Sequence, residues 1–115
     1  MSENDDFWGM VVYDIHENGC LNGLWTNNSN EGVVRNEIAV KTPKGDGIDG
    51  NYNVTWIEID GEVSEKVELE IKKENGVYKL EWKGEFKGKG FLINKKLVIT
   101  YWKHDVELKF EKVKN

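Results

Sequence analysis

The side chains able to do chemistry are few, and each lacks the company that chemistry needs. The chain has two histidines, His16 and His104, and one cysteine, Cys20. Catalysis requires partnered groups converging on one site, and both histidines lie beside turn signals, where a solvated imidazole is commonplace. Asp14 and His16 share a face of one alternating segment and could form a corner of a metal or acid–base site. No third ligand follows at a recognisable spacing. Asp46, Asp49 and Asn51, in KTPKGDGIDGN, depart from the EF-hand pattern, and Asp and Asn are ordinary turn residues. Cys20 follows Asn18-Gly19 with no basic neighbour to lower its pKa, and one cysteine gives neither a disulfide framework nor a thiolate cluster. Asn27-Asn28-Ser29 and Asn53-Val54-Thr55 match the glycosylation sequon, read here as coincidence because the start, MSENDD, is acidic where a secretory signal is basic and then apolar. The expectation is a cytoplasmic chain that is not an enzyme, with no catalytic residue, no metal and no cofactor.

A different set of residues suits binding. In NGCLNGLWTNN, alternation places Asn27 on the same face as Trp25. An amide beside an indole is either a handle for a ligand or the end of a strand. Trp82, Phe86, Tyr101 and Trp102 are spaced along later alternating segments, and Tyr52 along an earlier one. Aromatic walls with a few polar tips are the usual composition of a small-ligand pocket.

The elements that would position these residues are strands. VELEIKK sets Val67, Leu69 and Ile71 against Glu68, Glu70 and Lys72, and VYKLEW sets Tyr78, Leu80 and Trp82 against Lys79 and Glu81. One wet face and one buried face is the pattern of an antiparallel sheet. Asn18-Gly19 and Asn75-Gly76 tolerate the positive φ of a type I′ hairpin turn, and Asp60-Gly61 reads the same way. Asn94-Lys95 and His104-Asp105 separate further strands. This predicts nine strands, near 7–16, 20–27, 33–41, 50–59, 62–73, 77–86, 88–93, 96–103 and 106–113. The fold class is all-β, an antiparallel up-and-down β-barrel of 8–10 strands, because closure removes exposed edges. With 115 residues, residues 1–115 form a single domain.

Within that barrel, Trp25, Tyr52, Trp82 and Tyr101 are placed inward, with Val34, Ile38, Val40, Leu69, Leu80 and Leu108 around them. Parity adds Asn27, Asn36, Tyr13 and Tyr78. A barrel of about eight strands either fills its interior or leaves room for one small ligand, and aromatic rings suit both outcomes. In NYNVTWIEID the apolar series changes parity after Trp56, which predicts a bulge or burial on both faces. FWGMVVY is apolar on both parities, a candidate subunit contact.

CLNGLWTNN resembles the Gly-x-Trp-x-Asn first strand of the avidin and streptavidin family, and more broadly the calycin and lipocalin barrels. GNY (50–52), LEWK (80–83), FKGKGFLI (86–93) and LVITYW (97–102) resemble later family segments in the same order, over residues 20–103. The resemblance implies Asn27 and Tyr52 as polar ligand contacts and Trp82, Phe86 and Trp102 as aromatic walls. The sequence departs from the family at Glu31, where a small hydroxyl residue belongs, with Ser29 reached only by a shift. It also lacks the long final loop, and it has no arginine in the last strand to stack on the first tryptophan, leaving Lys109 or Lys112 to substitute. Biotin itself is therefore not expected.

Net charge is −5, which disfavours a phosphate backbone as main partner. KGKGFLI faintly resembles a cold-shock strand, yet Lys89 replaces its central aromatic, so nucleic acid is a distant third reading. No apolar run has the length of a membrane span. The reading is non-catalytic binding of a small amphiphilic or hydrophobic molecule inside the barrel. Asn27, Asn36 and Tyr52 are polar contacts, with Trp25, Trp82, Phe86, Tyr101 and Trp102 as walls; strict alternation admits only one of the last two. The alternative is a filled barrel that acts as a self-associating or protein-interaction module.

Overall fold

The computed structural model describes residues 7–29, 33–43, 45, 47–57 and 66–104. Among them are eight strands: β1 (Gly9–Ile15), β2 (Leu21–Asn27), β3 (Arg35–Lys41), β4 (Gly50–Ile57), β5 (Val67–Glu74), β6 (Val77–Trp82), β7 (Phe86–Ile93) and β8 (Lys96–Lys103). Each pairs antiparallel with the next, and β8 returns to β1, closing an up-and-down barrel. Of the nine expected strands, the one at 106–113 lies outside the described residues, as do Asp60-Gly61, Ile59 and Leu108. No helix among the described residues is long and apolar enough to cross a membrane.

The extra strand β1 takes the place between β2 and β8, with Gly9 opposite Asn27 on one side and Tyr101 on the other. The Gly-x-Trp-x-Asn segment therefore lies on the second strand, and the architecture is compatible with a calycin-like barrel.

Turn chemistry sets the register. Asn75 and Gly76 have φ of 52° and 81°, and Asn94 and Lys95 have φ of 49° and 68°, the paired positive values of a type I′ hairpin. The β1–β2 link is longer than expected, a 3-10 turn at Glu17–Gly19 closed by His16 N donating to the Cys20 carbonyl at 2.8 Å. The β6–β7 break also falls elsewhere. It is at residues 83–85 and not at 87, so Phe86 opens β7 instead of ending β6.

The glycines of FKGKG lie inside β7 because space, not turning, requires them there. Each inward tyrosine on β1, β6 and β8 is cross-strand from an inward glycine: Tyr13 from Gly23, Tyr78 from Gly90, and Tyr101 from both Gly9 and Gly88. A Cβ on Gly9 would sit 2.2 Å from the Tyr101 ring, and one on Gly23 2.8 Å from Tyr13. Missing side chains thus make room for large rings in a narrow cylinder.

The core consists of Val11, Tyr13, Leu21, Ala39, Tyr52, Val54, Leu69, Ile71, Tyr78, Leu80, Trp82, Leu97, Ile99 and Tyr101. Strand β3 reverses the expected parity. Arg35, Glu37, Ala39 and Lys41 turn inward, while Asn36, Ile38 and Val40 face solvent and Val34 is exposed before the strand begins. In β4 the ladder runs unbroken from Asn36–Ile57 to Lys41–Tyr52, so the apolar phase change after Trp56 reflects partial burial on both faces and not a bulge.

Candidate functional site

The two ends of the barrel differ. At the end carrying the β3–β4 link, the chain folds over the opening and fills it. Ile48 packs on the core, the Tyr52 hydroxyl donates to the Ile48 carbonyl at 2.6 Å, and Lys41 Nζ donates to the Gly47 carbonyl at 2.9 Å. Asp49 accepts the Lys73 backbone N–H at 2.8 Å. Burial, followed by the Asp49 charge, pushes the Tyr52 phenol up to about 12.

At the opposite end is a cavity of about 150 Å³, lined by Trp25, Asn27, Glu37, Trp56, Trp82, Glu85, Phe86 and Tyr101. Every strand but β1 and β5 contributes a terminal or near-terminal residue, except that Glu85 comes from the β6–β7 turn. Cavities of this size hold a benzene-sized guest. Its rings meet at steep angles: Phe86 stands at 70° to Tyr101, 76° to Trp56 and 85° to Trp82, with centroids 5.2, 6.2 and 6.5 Å apart. These are favoured edge-to-face geometries.

Glu37 is the floor of this site and is 3 % exposed. Trp56 Nε1 donates to one carboxylate oxygen at 2.8 Å, and Trp82 Nε1 donates to the other at 3.3 Å, which also accepts the Tyr13 hydroxyl. Removal from water pushes the Glu37 carboxyl up, because the charged form loses its hydration, and the three donors pull the other way without overcoming it. The same burial, with the carboxylate beside it, raises the Tyr13 phenol well above its ordinary value.

Asn27 ends its strand and also lines the cavity. Its Oδ1 accepts from Ser29 N at 2.9 Å and Ser29 Oγ at 2.8 Å, an Asx turn that ends the strand, while its Nδ2 donates to the Tyr101 hydroxyl at 3.1 Å inside the barrel. Tyr101 in turn donates to the Thr26 carbonyl at 3.2 Å, and burial pushes its phenol up to about 12. Over Trp25, the guanidinium of Arg35 lies 6.0 Å from the ring centroid. The cation on that tryptophan comes from the adjacent strand; Lys109 and Lys112 lie outside the described residues.

Five of the eight expected site residues therefore converge: Trp25, Asn27, Trp82, Phe86 and Tyr101. Tyr52 faces inward but belongs to the filled end. Asn36 faces outward, its backbone carbonyl accepting the Trp25 indole N–H at 3.3 Å. Trp102 also faces outward, in a groove with Glu70, Glu74, Glu81, Lys87 and Lys89 whose charges are mixed in sign. Glu37, Trp56 and Glu85 were not among the expected contacts. The legible signal for Glu37 is polar-tip accounting: inward Tyr13, Trp56 and Trp82 each need an acceptor, more than inward amides alone supply.

The other candidate groups lie outside this site. Asp14 pairs with Lys96, His16 Nε2 is 3.2 Å from Asn22 Nδ2, and His104 is 3.4 Å from Glu81. No group of three or more His, Cys, Asp or Glu able to hold a metal occurs among the described residues. Comparison of the chain with protein-family models, curated proteins and solved structures finds no match.

Proposed function

We propose that the chain is a non-catalytic binding protein for a small amphiphilic or hydrophobic molecule seated in the open end of the barrel. The carrying observation is the cavity itself, aromatic-walled, floored by a buried and hydrogen-bonded Glu37, and open where the opposite end is filled. Desolvating a carboxylate is costly, and this one borders the cavity as well as its three donors, which supports a ligand site. Native mass spectrometry of protein purified without added ligand tests the reading, together with tryptophan fluorescence during titration with benzene-sized aromatics. A retained mass or saturable quenching that Trp82→Leu abolishes is expected. Absence of both would leave the barrel without a ligand.

A second reading, self-association, rests on a separate feature. Phe91, Val98, Val12 and Leu24 are direct cross-strand neighbours on the outer face of β7, β8, β1 and β2. Phe91 is 53 % and Leu24 54 % exposed, with Met10 exposed nearby. The outer faces of β5 and β6 carry Glu68, Glu70, Lys72, Lys79 and Glu81 instead. An apolar row of this kind matches a second copy of itself. Sedimentation velocity tests it: dimers that Leu24→Lys dissociates are expected, and a wild-type monomer at high concentration would remove the reading. The two readings use different surfaces and can both hold.

A further inference from the structure

We propose that the open end of the barrel selects a methylated ammonium group, a small tertiary or quaternary amine, held among the aromatic rings beside Glu37. This rests on the small-molecule reading above and narrows it to a ligand class.

Three observations converge. Both carboxyl side chains lining the cavity, Glu37 and Glu85, are acidic counterparts for a cation, and no lysine or arginine lines it among the described residues. Arg35 over Trp25 and Lys103 over Phe86 stand against two of the walls without lining the cavity, and the charged groups that do line it are the two carboxyls, which favours a cationic guest. Next, the walls are rings set nearly at right angles to one another, Trp56 and Trp82 against Phe86. Rings in such boxes hold onium groups through their electron-rich faces. The same cluster already carries an ammonium on its rim, since Lys103 Nζ lies 4.8 Å from the Phe7 centroid and 5.2 Å from that of Phe86.

The hydrogen-bond inventory distinguishes among cations. A carboxylate has about four acceptor sites, and Glu37 gives three of them to Tyr13, Trp56 and Trp82. A primary ammonium brings three N–H donors, and the one acceptor site left on Glu37 would meet only one of them in a site this apolar. A methylated ammonium needs charge and ring contact but little or no hydrogen bonding. Glu85 is exposed on the β6–β7 turn and makes no ion pair among the described residues, so its charge is available at the mouth.

The experiment compares choline with its neutral isostere 3,3-dimethylbutan-1-ol by isothermal titration, with benzyl alcohol as an uncharged aromatic control. Choline binding about tenfold tighter than the isostere is expected, and the gap should close in Glu37→Gln, choline losing more affinity than the isostere. Glu85→Gln, on a surface turn, gives a smaller closure and keeps the test decisive should the Glu37 variant fail to fold. An isostere that binds as well as choline overturns the cation inference and leaves the small-molecule reading standing. So does binding of benzyl alcohol without binding of choline. If none of the three binds, both fall.

Discussion

Trp82 and Glu37 come from strands 45 residues apart in the chain, and they meet inside the barrel, the indole N–H donating to the carboxylate at 3.3 Å. That contact ties β6 to β3 across the cylinder and shares its acceptor oxygen with Tyr13 of β1. With Trp56 of β4 on its other oxygen, one carboxylate therefore ties together four strands, of which only β3 and β4 are neighbours.

Replacing Glu37 with Leu should destabilise the fold by about 3 kcal/mol, because Tyr13 and Trp82 are buried donors left without an acceptor. Urea unfolding measures this.

The pH dependence follows from the same group. Folding raises the Glu37 pKa above its unfolded value of 4.5, so the folded chain binds more protons than the unfolded one between the two values. The stability that Glu37 contributes is full below 4.5 and is lost as pH rises through the raised pKa. The groups facing it, Tyr13, Trp56 and Trp82, stay neutral across that window. The wild-type stability relative to Glu37→Gln should thus fall as pH rises from the carboxyl range toward neutrality. A flat difference would show that Glu37 is not held in this environment.

Glycine substitutions should separate the cavity from the fold. An alanine Cβ at Gly9 meets the far end of the Tyr101 ring, which can shift, whereas one at Gly90 meets the Val98 carbonyl oxygen at 1.8 Å, which cannot. Gly9→Ala should cost about 1 kcal/mol and alter ligand binding. Gly90→Ala should cost about 3 kcal/mol or prevent folding. Thermal melts and ligand titration on both proteins check the contrast.

Lys95 occupies the left-handed region at φ 68°, where a side chain is strained. Lys95→Gly should stabilise the barrel by about 1 kcal/mol, read as a rise in urea midpoint at constant slope.

Tyr52→Phe should lose about 1 kcal/mol with the bond to the Ile48 carbonyl and leave ligand affinity unchanged, since Tyr52 serves the filled end. A large change in affinity would restore it to the site.

The barrel was legible where alternation and polarity agree, as in β5 and β6, whose Leu69, Ile71, Tyr78, Leu80 and Trp82 are all buried. It was illegible in β3, where apolar Ile38 and Val40 lie outside and Glu37 and Lys41 inside. Their partners explain the inversion: Glu37 satisfies three donors, and Lys41 reaches the Gly47 carbonyl with its stem buried. No single strand encodes such reasons, because the donors come from β1, β4 and β6. Gly88 and Gly90 misled for a related reason, since they serve space across the sheet and not bending along it. In the site, residues fixed by their own strand's alternation, such as Asn27 and Tyr101, were legible. Which end of the cylinder Tyr52 serves depends on a loop that fills one mouth and is visible only in three dimensions.

The meeting of β1 and β8, Gly9 beside Tyr101, makes the strand order a circle with no physical beginning. A chain opened between Asn94 and Lys95, with its present ends joined, would draw the same cylinder from a different starting point. Its new loose ends would emerge at the filled mouth, and the join would lie at the aromatic one, where β1 begins and β8 ends.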